Sequence, residues 1–349
     1  MLANFGERLK NARKMAGLSM EALAKKAGDL ISKQAIGKYE KGKMKPSGDV
    51  LMALSRALEV KPDYFFRFPS VRLSNLEFRK KSSLGVKEQE RIKHKALDFL
   101  ERYFEIEDIL ETRVAFKNPI PSENRQVLNI SDVESAAMML RKKWDLGTAP
   151  VANLMELLEH KGVRIFEIET SDKFHGISAW ADKIPVIAVR AEDDLVRKRF
   201  TIAHEIGHIL LDFNPTEDPK TREKLCHEFA GAFLLPESII KAELGEHRGR
   251  IALLELKKLK GVYGVSIQAI MRRAKGLGII SEHTYRKFCI MVNQKGWKKI
   301  EPGSYERKEK ANRFKQLVYR AAAEDLITYS RAAELLNMSL SELRKIQIV

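Results

Sequence analysis

The segment TIAHEIGHILL, residues 201–211, places two histidines four residues apart in a mostly apolar run. Residues four apart share one face of an α-helix, so His204 and His208 can direct their imidazoles toward one point. Zinc binds neutral imidazole nitrogens, and Glu205 stands beside this face, where a general base could act on a water molecule. The pattern predicts a helical metal site. The alternative is a pair of histidines hydrogen-bonded within a core.

A third ligand has to come from elsewhere, because zinc hydrolases use three protein ligands and keep one position open. The segment REKLCHEFAGAFLLP, residues 222–236, predicts a second helix, since its apolar residues recur at helical spacing. Glu223 and His227 lie four residues apart on it, and Glu228 follows directly. A carboxylate from a following helix is a common third ligand, but the spacing leaves all three residues as candidates.

Composition restricts the class of protein. The 349 residues carry 63 Lys and Arg against 47 Asp and Glu, a net charge of +16, and 44% of them are hydrophobic. This balance indicates a soluble globular chain of two or three domains and favours a polyanion such as nucleic acid as partner. No apolar run reaches the roughly 18 residues of a membrane span, and the N-terminus lacks a signal-peptide pattern. With only Cys226 and Cys289, we expect no disulfide framework and a cytoplasmic protein.

Residues 1–68 carry 14 Lys and Arg against 7 Asp and Glu, a net charge of +7 in a fifth of the chain. They show four short helical patterns, and Ser19, Ser32 and Ser47 stand where three of these helices begin. Gly42 stands just past the end of the third. Helices this short cannot bury an apolar face alone, so we expect them to pack together as one bundle.

The pieces SMEALAKKAG, SKQAIGKYEKGKMKPS and LMALSRALEVKPDYFF resemble an Xre/Cro-type helix-turn-helix domain over residues 4–66. In such domains the third helix lies in the major groove, so the resemblance implies a double-stranded DNA operator as partner and a possible homodimer on a palindromic site. This chain departs from the family in a longer turn before the third helix and in Gly37 within it. Carried over by position, the implied DNA contacts are Ser32, Lys33, Gln34, Lys38, Lys41, Lys43 and Lys45.

The middle of the chain changes its pattern twice. Residues 86–112 carry an apolar stripe at helical spacing and charges of alternating sign, which indicates a long helix between domains or at a dimer interface. KNPIPSEN, residues 117–124, is typical of a linker. Ser131 and Glu134 then fit a capping box at the start of a helix. Three short strand patterns follow, in VRIFEIE, FHGISAWA and IPVIAV, and predict a small α+β domain with an antiparallel sheet.

Five blocks of sequence together resemble the ImmA/IrrE family of zinc metallopeptidases over about residues 140–300: FHGISAW, IPVIAV, RFTIAHEIGHILLD, EKLCHEFAGAFLLP and LKGVYGVSIQAIMRRAKGLGII. The resemblance implies Zn2+ as cofactor, with His204, His208 and Glu223 as its ligands. It implies Glu205 as the general base of peptide hydrolysis.

Three neighbours of this set have alternative interpretations. His227 stands where relatives usually carry Asn, so it either supports a ligand or binds zinc itself. Asp212 stands where relatives often place His, and it either accepts a hydrogen bond from His208 or is a solvated helix end. Cys226 is expected to be a small core residue.

We therefore predict a mainly α protein with a small α+β domain. It would be a transcriptional regulator whose zinc endopeptidase cleaves a repressor or partner protein in a stress, mobile-element or toxin–antitoxin system. The alternative is a DNA-binding repressor or antitoxin whose zincin-like domain senses a ligand or binds a partner without catalysis. The predicted segments are a helix-turn-helix domain at 1–68, a connecting helix and linker at 69–130, a zinc peptidase domain at 131–250 and a C-terminal helical domain at 251–349.

Overall fold

The computed structural model describes residues 2–28, 30–67, 71, 73–80, 84–214, 216–298 and 300–346. These residues are mostly helical, with one four-stranded sheet, which confirms the predicted fold class. Across this part of the chain, no helix is both long and apolar enough to cross a bilayer. The helices are α1 (Leu2–Met15), α2 (Met20–Lys26), α3 (Lys33–Glu40), α4 (Gly48–Leu58), α5 (Val86–Ile109), α6 (Ile130–Lys143), α7 (Leu154–His160), α8 (Leu195–Leu210), α9 (Pro219–Leu234), α10 (Glu237–Leu244), α11 (Leu253–Tyr263), α12 (Ile267–Gly276), α13 (Glu282–Gln294), α14 (Arg313–Ala323), α15 (Tyr329–Leu335) and α16 (Leu340–Lys345). The strands are β1 (Leu73–Lys80), β2 (Arg164–Ile168), β3 (Phe174–Ala181) and β4 (Ile184–Arg190).

The chain forms two compact units. The first contains Met1–Leu73, Lys80–Arg113 and Phe314–Val349, and the second contains Ser74–Arg79 and Val114–Arg313. These units do not follow the four predicted segments. The helices after residue 313 belong with the N-terminal helices, whereas the sequence interpretation grouped them with α11–α13 in one C-terminal domain.

In the first unit, α1–α4 enclose a small apolar core. Leu9, Leu23, Ile36, Leu54 and Phe65 are its fully buried members. The predicted helix starts are confirmed by their caps: the hydroxyls at positions 19, 32 and 47 accept hydrogen bonds from the backbone three residues onward, at 3.0, 3.1 and 3.4 Å. Each cap satisfies a backbone N–H that has no partner within its helix.

Substitution of two glycines of this bundle by alanine should have opposite effects on stability. A Cβ at Gly6 would lie 2.5 Å from the carbonyl oxygen of Tyr39 at the end of α3, so Gly6→Ala should destabilise the packing of α1 on α3 by about 1–3 kcal/mol. At Gly37 the nearest atom would be Met20 Sδ at 3.7 Å, so Gly37→Ala should stabilise α3 by up to ~1 kcal/mol. Hydrogen–deuterium exchange of α1 and α3 in both full-length variants measures the difference. Equal exchange in the two variants would contradict it.

The last helices of the chain pack on α5 within the first unit. The rings of Tyr103 and Phe314 stack with centroids 5.3 Å apart, and Ile106 and Val318 are fully buried in the same core. The Arg331 guanidinium forms a salt bridge with Glu105 on α5. The apolar faces of α14 and α5 pack together in this core, which explains why the last helices join the first unit although they lie far from α5 in the sequence.

The sheet of the second unit is mixed, and here the prediction of an antiparallel sheet was wrong. Its strand order is β1-β3-β4-β2. β3 pairs antiparallel with β4, with Gly176 opposite Val189, whereas β2 pairs parallel with β4, with Arg164 opposite Val186. β1 comes from the segment that was interpreted as a connection, and its addition to β3 depends on contacts that no local pattern reveals.

Helices cover one face of this sheet and fix where α8 lies. Ile187 and Val189 of β4 share one apolar core with Ile206 of α8 and with Phe229 and Phe233 of α9. The apolar sides of α8 and α9 are therefore buried in the same core as the sheet.

The first helix of the second unit begins differently from its prediction. Its capping box is formed by Asn129 and Asp132, so the predicted pair at Ser131 and Glu134 was wrong. Glu134 instead accepts hydrogen bonds at 2.6 and 2.9 Å from Arg273 of α12. This ion pair ties α6 to α12, and it explains a glutamate that the local pattern assigned to a cap.

A buried carboxyl in α7 predicts a pH-dependent stability. Burial raises the pKa of Glu159 from 4.5 to about 7, although the Arg313 backbone N–H donates a hydrogen bond to it at 3.2 Å. The folded state thus holds this proton more tightly than the unfolded chain does. The resulting stabilisation is complete below pH 4.5 and is lost as the pH rises through 7.

Glu159→Gln should remove this dependence. The compared quantity is the free energy of unfolding of Glu159→Gln minus that of wild type. We expect this difference to be about 1–3 kcal/mol more positive at pH 8 than at pH 5. Urea unfolding of the second unit at both pH values measures it. Glu156→Gln, an exposed position on the same helix, is the matched control. A difference between Glu159→Gln and wild type that does not change with pH would contradict the prediction.

Candidate metal centre

Helix α8 carries the two histidines on one face, as predicted. It begins at the cap Asp194, whose side chain accepts from the Arg197 backbone N–H at 3.0 Å, and it continues to Leu210. The Nε2 atoms of His204 and His208 lie 3.1 Å apart. The spacing of four residues on a regular helix produces this convergence.

Glu223 of α9 completes a group that could hold a metal ion. Its Oε2 lies 3.2 Å from His204 Nε2, and its Oε1 lies 3.2 Å from His208 Nε2. Ligands that surround zinc tetrahedrally at 2.0–2.1 Å are separated by about 3.3 Å, so the observed spacing fits zinc. The His204 side chain is fully buried and that of Glu223 is 45% exposed, so the group opens to solvent on the α9 side.

The electrostatics of this group favour a cation. Burial lowers the pKa of His208, but its contacts with Cys226 and Glu223 outweigh this and raise it to about 11. Burial raises the pKa of Glu223, but hydrogen bonds with His204 and His208 outweigh it and hold that pKa well below its ordinary range. A divalent metal would displace the proton of His208, and the anionic carboxylate facing two imidazoles supplies the charge and the donor atoms that it requires.

Gly207 lets α8 and α9 approach closely enough to form the group. A Cβ at this position would lie 3.3 Å from both Cys226 Sγ and Phe229 Cδ1, tighter than ordinary side-chain contacts. Cys226 is fully buried at this crossing, which is the small core role predicted for it. The glycine between the two histidines thus sets the distance from His204 to the α9 carboxylate.

Glu205, next to His204 on α8, contacts strand β3. The hydroxyl of Ser178 donates a hydrogen bond to Glu205 Oε2 at 2.6 Å, and both side chains are buried. A Cβ at Gly176 would lie 3.1 Å from Glu205 Oε1 and 2.5 Å from Thr201 Cγ2, so only glycine fits there. Sequence reasoning missed the contribution of Gly176 and Ser178, because alternation along a strand gives no signal of what crosses above it.

His227 lies beside the group and outside it. Its ring centroid is 4.5 Å from that of His204, and it stacks on Phe200 at 5.8 Å. Among the residues that the structure describes, the group able to hold a metal consists of His204, His208 and Glu223. The His227 ring thus lies against the ring of His204 and outside the metal-capable group.

The other two candidates lie elsewhere. Asp212 is exposed just past the end of α8, where its backbone N–H donates to the Arg125 carbonyl at 3.0 Å. Glu228 forms an ion pair with Arg272 at 3.3 Å. Neither residue belongs to the metal-capable group within the described part of the chain.

The residues implied in DNA contact lie around α3. Ile36 and Tyr39 anchor this helix in the bundle, and its opposite face is exposed. The Ser32 hydroxyl caps the helix, so it is already engaged by the Ala35 backbone N–H at 3.1 Å. Lys33 lies 3.7 Å from Glu21 in an exposed ion pair. The remaining implied contacts are all exposed: Gln34, Lys38, Lys41, Lys43 and Lys45.

Comparisons with known proteins found family models that match two separate segments of the chain. A helix-turn-helix family model matches residues 9–65, and the IrrE N-terminal-like domain (Peptidase_M78) matches residues 158–275. The first match contains α2 and α3, and the second contains the three residues of the metal-capable group. The two family models follow one another along the chain in the order that the sequence resemblances implied.

Two relatives cover only part of the chain. Repressor protein C2 of Salmonella phage P22 is 39% identical over 62 residues, 18% of this chain and 28% of that protein. The SPbeta prophage-derived uncharacterized HTH-type transcriptional regulator YonR of Bacillus subtilis (strain 168) is 41% identical over 63 residues, 18% of this chain and 56% of that protein. The matches thus span less than two thirds of either relative.

The helix-turn-helix match, the phage repressor relative and the exposed face of α3 all indicate DNA binding. The second match includes a helix pair with the donor atoms of a metal site. The chain therefore carries an Xre-type helix-turn-helix domain of transcriptional regulators, followed by a domain of the IrrE N-terminal-like peptidase family.

Proposed function

We propose that the protein is a cytoplasmic zinc endopeptidase joined to an operator-binding domain, and that it cleaves a repressor or another partner protein. The observation that carries this proposal is the convergence of His204, His208 and Glu223 within 3.1–3.2 Å. Glu205 is buried on the same helix. A buried carboxylate has a high desolvation cost, so its presence beside a metal-capable group supports a chemical role.

Each residue would have a separate task. His204, His208 and Glu223 would hold zinc, which when bound polarises a peptide carbonyl and lowers the pKa of the attacking water to about 7. Glu205 would accept the proton of that water and return it to the leaving amine. Ser178 keeps the Glu205 carboxylate in one orientation through its 2.6 Å hydrogen bond. Partial exposure of Glu223 leaves an approach for the peptide.

The DNA-binding half would direct this activity to a set of genes. Exposed lysines on and after α3 would neutralise phosphates, and Gln34 would read base edges in the major groove. A palindromic operator would require two copies of the chain. The systems that fit such a protein are stress responses, mobile elements and toxin–antitoxin pairs.

Substitutions in α3 should separate phosphate contacts from base contacts. We expect Lys41→Ala to weaken binding to all DNA sequences and to lower the salt dependence by about one phosphate charge. Gln34→Ala should instead cost about 1–3 kcal/mol on the preferred operator and relax the preference for one base pair. Operator selection from random DNA, followed by binding at several salt concentrations, measures both effects. Identical salt slopes for Lys41→Ala and wild type would count against this orientation of α3.

The alternative is a repressor or antitoxin whose peptidase-like domain binds a partner without cutting it. It has specific support, since the relatives described above include a phage repressor. Mapping new protein N-termini in cells that produce wild type or Glu205→Gln distinguishes the two functions. A fragment of one protein that appears only with wild type supports the peptidase. Equal sets of termini, together with unchanged operator binding, would establish the alternative.

A further inference from the structure

The strand nearest to Glu205 is not at the edge of the sheet. Gly176 and Ser178, which contact the Glu205 carboxylate, belong to β3. β3 lies between β4 and β1 in the strand order. The outer side of β3 is therefore covered by β1, and β1 forms the edge at this end of the sheet.

β1 enters the second unit as a very short segment. Only Ser74–Arg79 belong to this unit, whereas Leu73 and Lys80 on either side belong to the first. The contact is made along the backbone of β3, and the Ser74 hydroxyl donates to the Trp180 carbonyl at 3.4 Å. Within the described residues, the segment that joins this unit here consists of β1 alone.

An extended peptide binds a sheet edge through backbone hydrogen bonds, in the same way as an added strand. A peptide on the outer side of β3 would run past Ser178 and the Glu205 carboxylate, which the proposed reaction requires. Each backbone N–H and C=O of β3 on that side can serve β1 or a peptide, but not both. The two are therefore competitors for the same positions.

We propose that β1 is a built-in competitor that occupies the substrate edge of β3, so that an extended peptide is admitted only when β1 leaves. This inference rests on the proposed peptidase function and names its regulation. Because β1 is tethered at both ends, its effective concentration is of the order of millimolar, and a free peptide displaces it poorly. Release of β1 breaks no covalent bond, so the block is reversible.

Two proline variants of β1 test the proposal, and one of them serves as the control for the other. Successive N–H groups of a strand point to opposite sides, so one of Leu76→Pro and Glu77→Pro removes a hydrogen bond to β3 and the other removes an N–H at the free edge. Each is made in full-length protein that also carries Glu205→Gln, which prevents cleavage of the probe. The probe is a fluorescent peptide with the sequence of residues 73–80, and its binding is followed by anisotropy.

We expect one proline variant to bind the probe at least about 10-fold more tightly than the parent protein and the other to bind it like the parent. Equal binding by all three proteins would overturn the proposal. A second measurement needs no variant: hydrogen exchange of wild-type β3 should show protection of the amides on both of its sides. Rapid exchange of every second amide, those facing β1, would also overturn it.

Catalysis separates this inference from the function on which it rests. With Glu205 restored, the variant that binds the probe should cleave a generic peptide faster than wild type. Tight binding of the probe without cleavage of the peptide would contradict the proposed peptidase function and would still support β1 as a competitor. Equal cleavage by wild type and both proline variants would establish the peptidase and overturn the role of β1.

Discussion

Glu223→Ala is expected to cost the protein its zinc. The substitution removes one of three converging ligands, whose oxygens lie 3.2 Å from the two imidazole nitrogens. Loss of a residue that only supports a ligand typically weakens metal binding by 10–100-fold, so loss of a ligand itself should weaken it by more than about 100-fold. His227→Ala is the matched control one helical turn away. We expect that variant to keep its zinc, because its ring packs against His204 and Phe200.

Elemental analysis of wild type and both variants after purification with added zinc gives the answer directly. About one zinc per chain in wild type and in His227→Ala, with little in Glu223→Ala, is the expected result. The reverse order for the two variants would make His227 the third ligand. No zinc in any of the three proteins would leave His204 and His208 as core histidines, and the protein would then be a DNA-binding regulator alone.

Glu205→Gln should abolish cleavage while zinc stays bound. Glutamine has nearly the same shape as glutamate, and its amide oxygen can still accept the hydrogen bond from Ser178. It cannot take a proton from water, so the rate should fall by about 10²–10⁴-fold, the usual contribution of a general base. Because Glu205 is not one of the three converging residues, metal content should be unchanged.

Single-turnover cleavage of the identified protein substrate, together with zinc analysis of the same samples, separates catalysis from metal binding. Loss of both would show that Glu205 supports the metal site and is not its base. Cleavage at the wild-type rate would assign the general base to another group. Unchanged zinc content is the control for folding of the second unit, which holds the substitution, and operator binding is the control for the first unit, which holds the DNA-binding helices.

Much of the candidate site could be predicted because it depends on single helices. The spacing of His204 and His208 determines a common face. The choice among Glu223, His227 and Glu228 could not be made from spacing. The sequence does not say which side of α9 faces α8. The crossing of the two helices, limited by the contact of Gly207 with Cys226, decides which side chain faces the histidines.

The sheet and the division into units were harder to predict. β1 was interpreted as part of a connection, and the antiparallel sheet proved to be mixed. Strand pairing joins segments that lie far apart in the sequence, so local alternation reveals a strand without naming its neighbour. The same limit applies to Glu134, whose partner Arg273 is more than a hundred residues away.

The sequence by itself determined the helices of the N-terminal bundle and their caps at Ser19, Ser32 and Ser47, because these follow from spacing within about one or two helical turns. Its motifs also carried the two family resemblances. It also determined that two imidazoles and a neighbouring carboxylate share one helix. Only the tertiary structure decided that Glu223 meets those imidazoles, that Ser178 and Gly176 enclose Glu205, and that β1 covers the outer side of β3. The physical reason is that each of these contacts joins separate elements, and their distances are set by the packing of the whole unit.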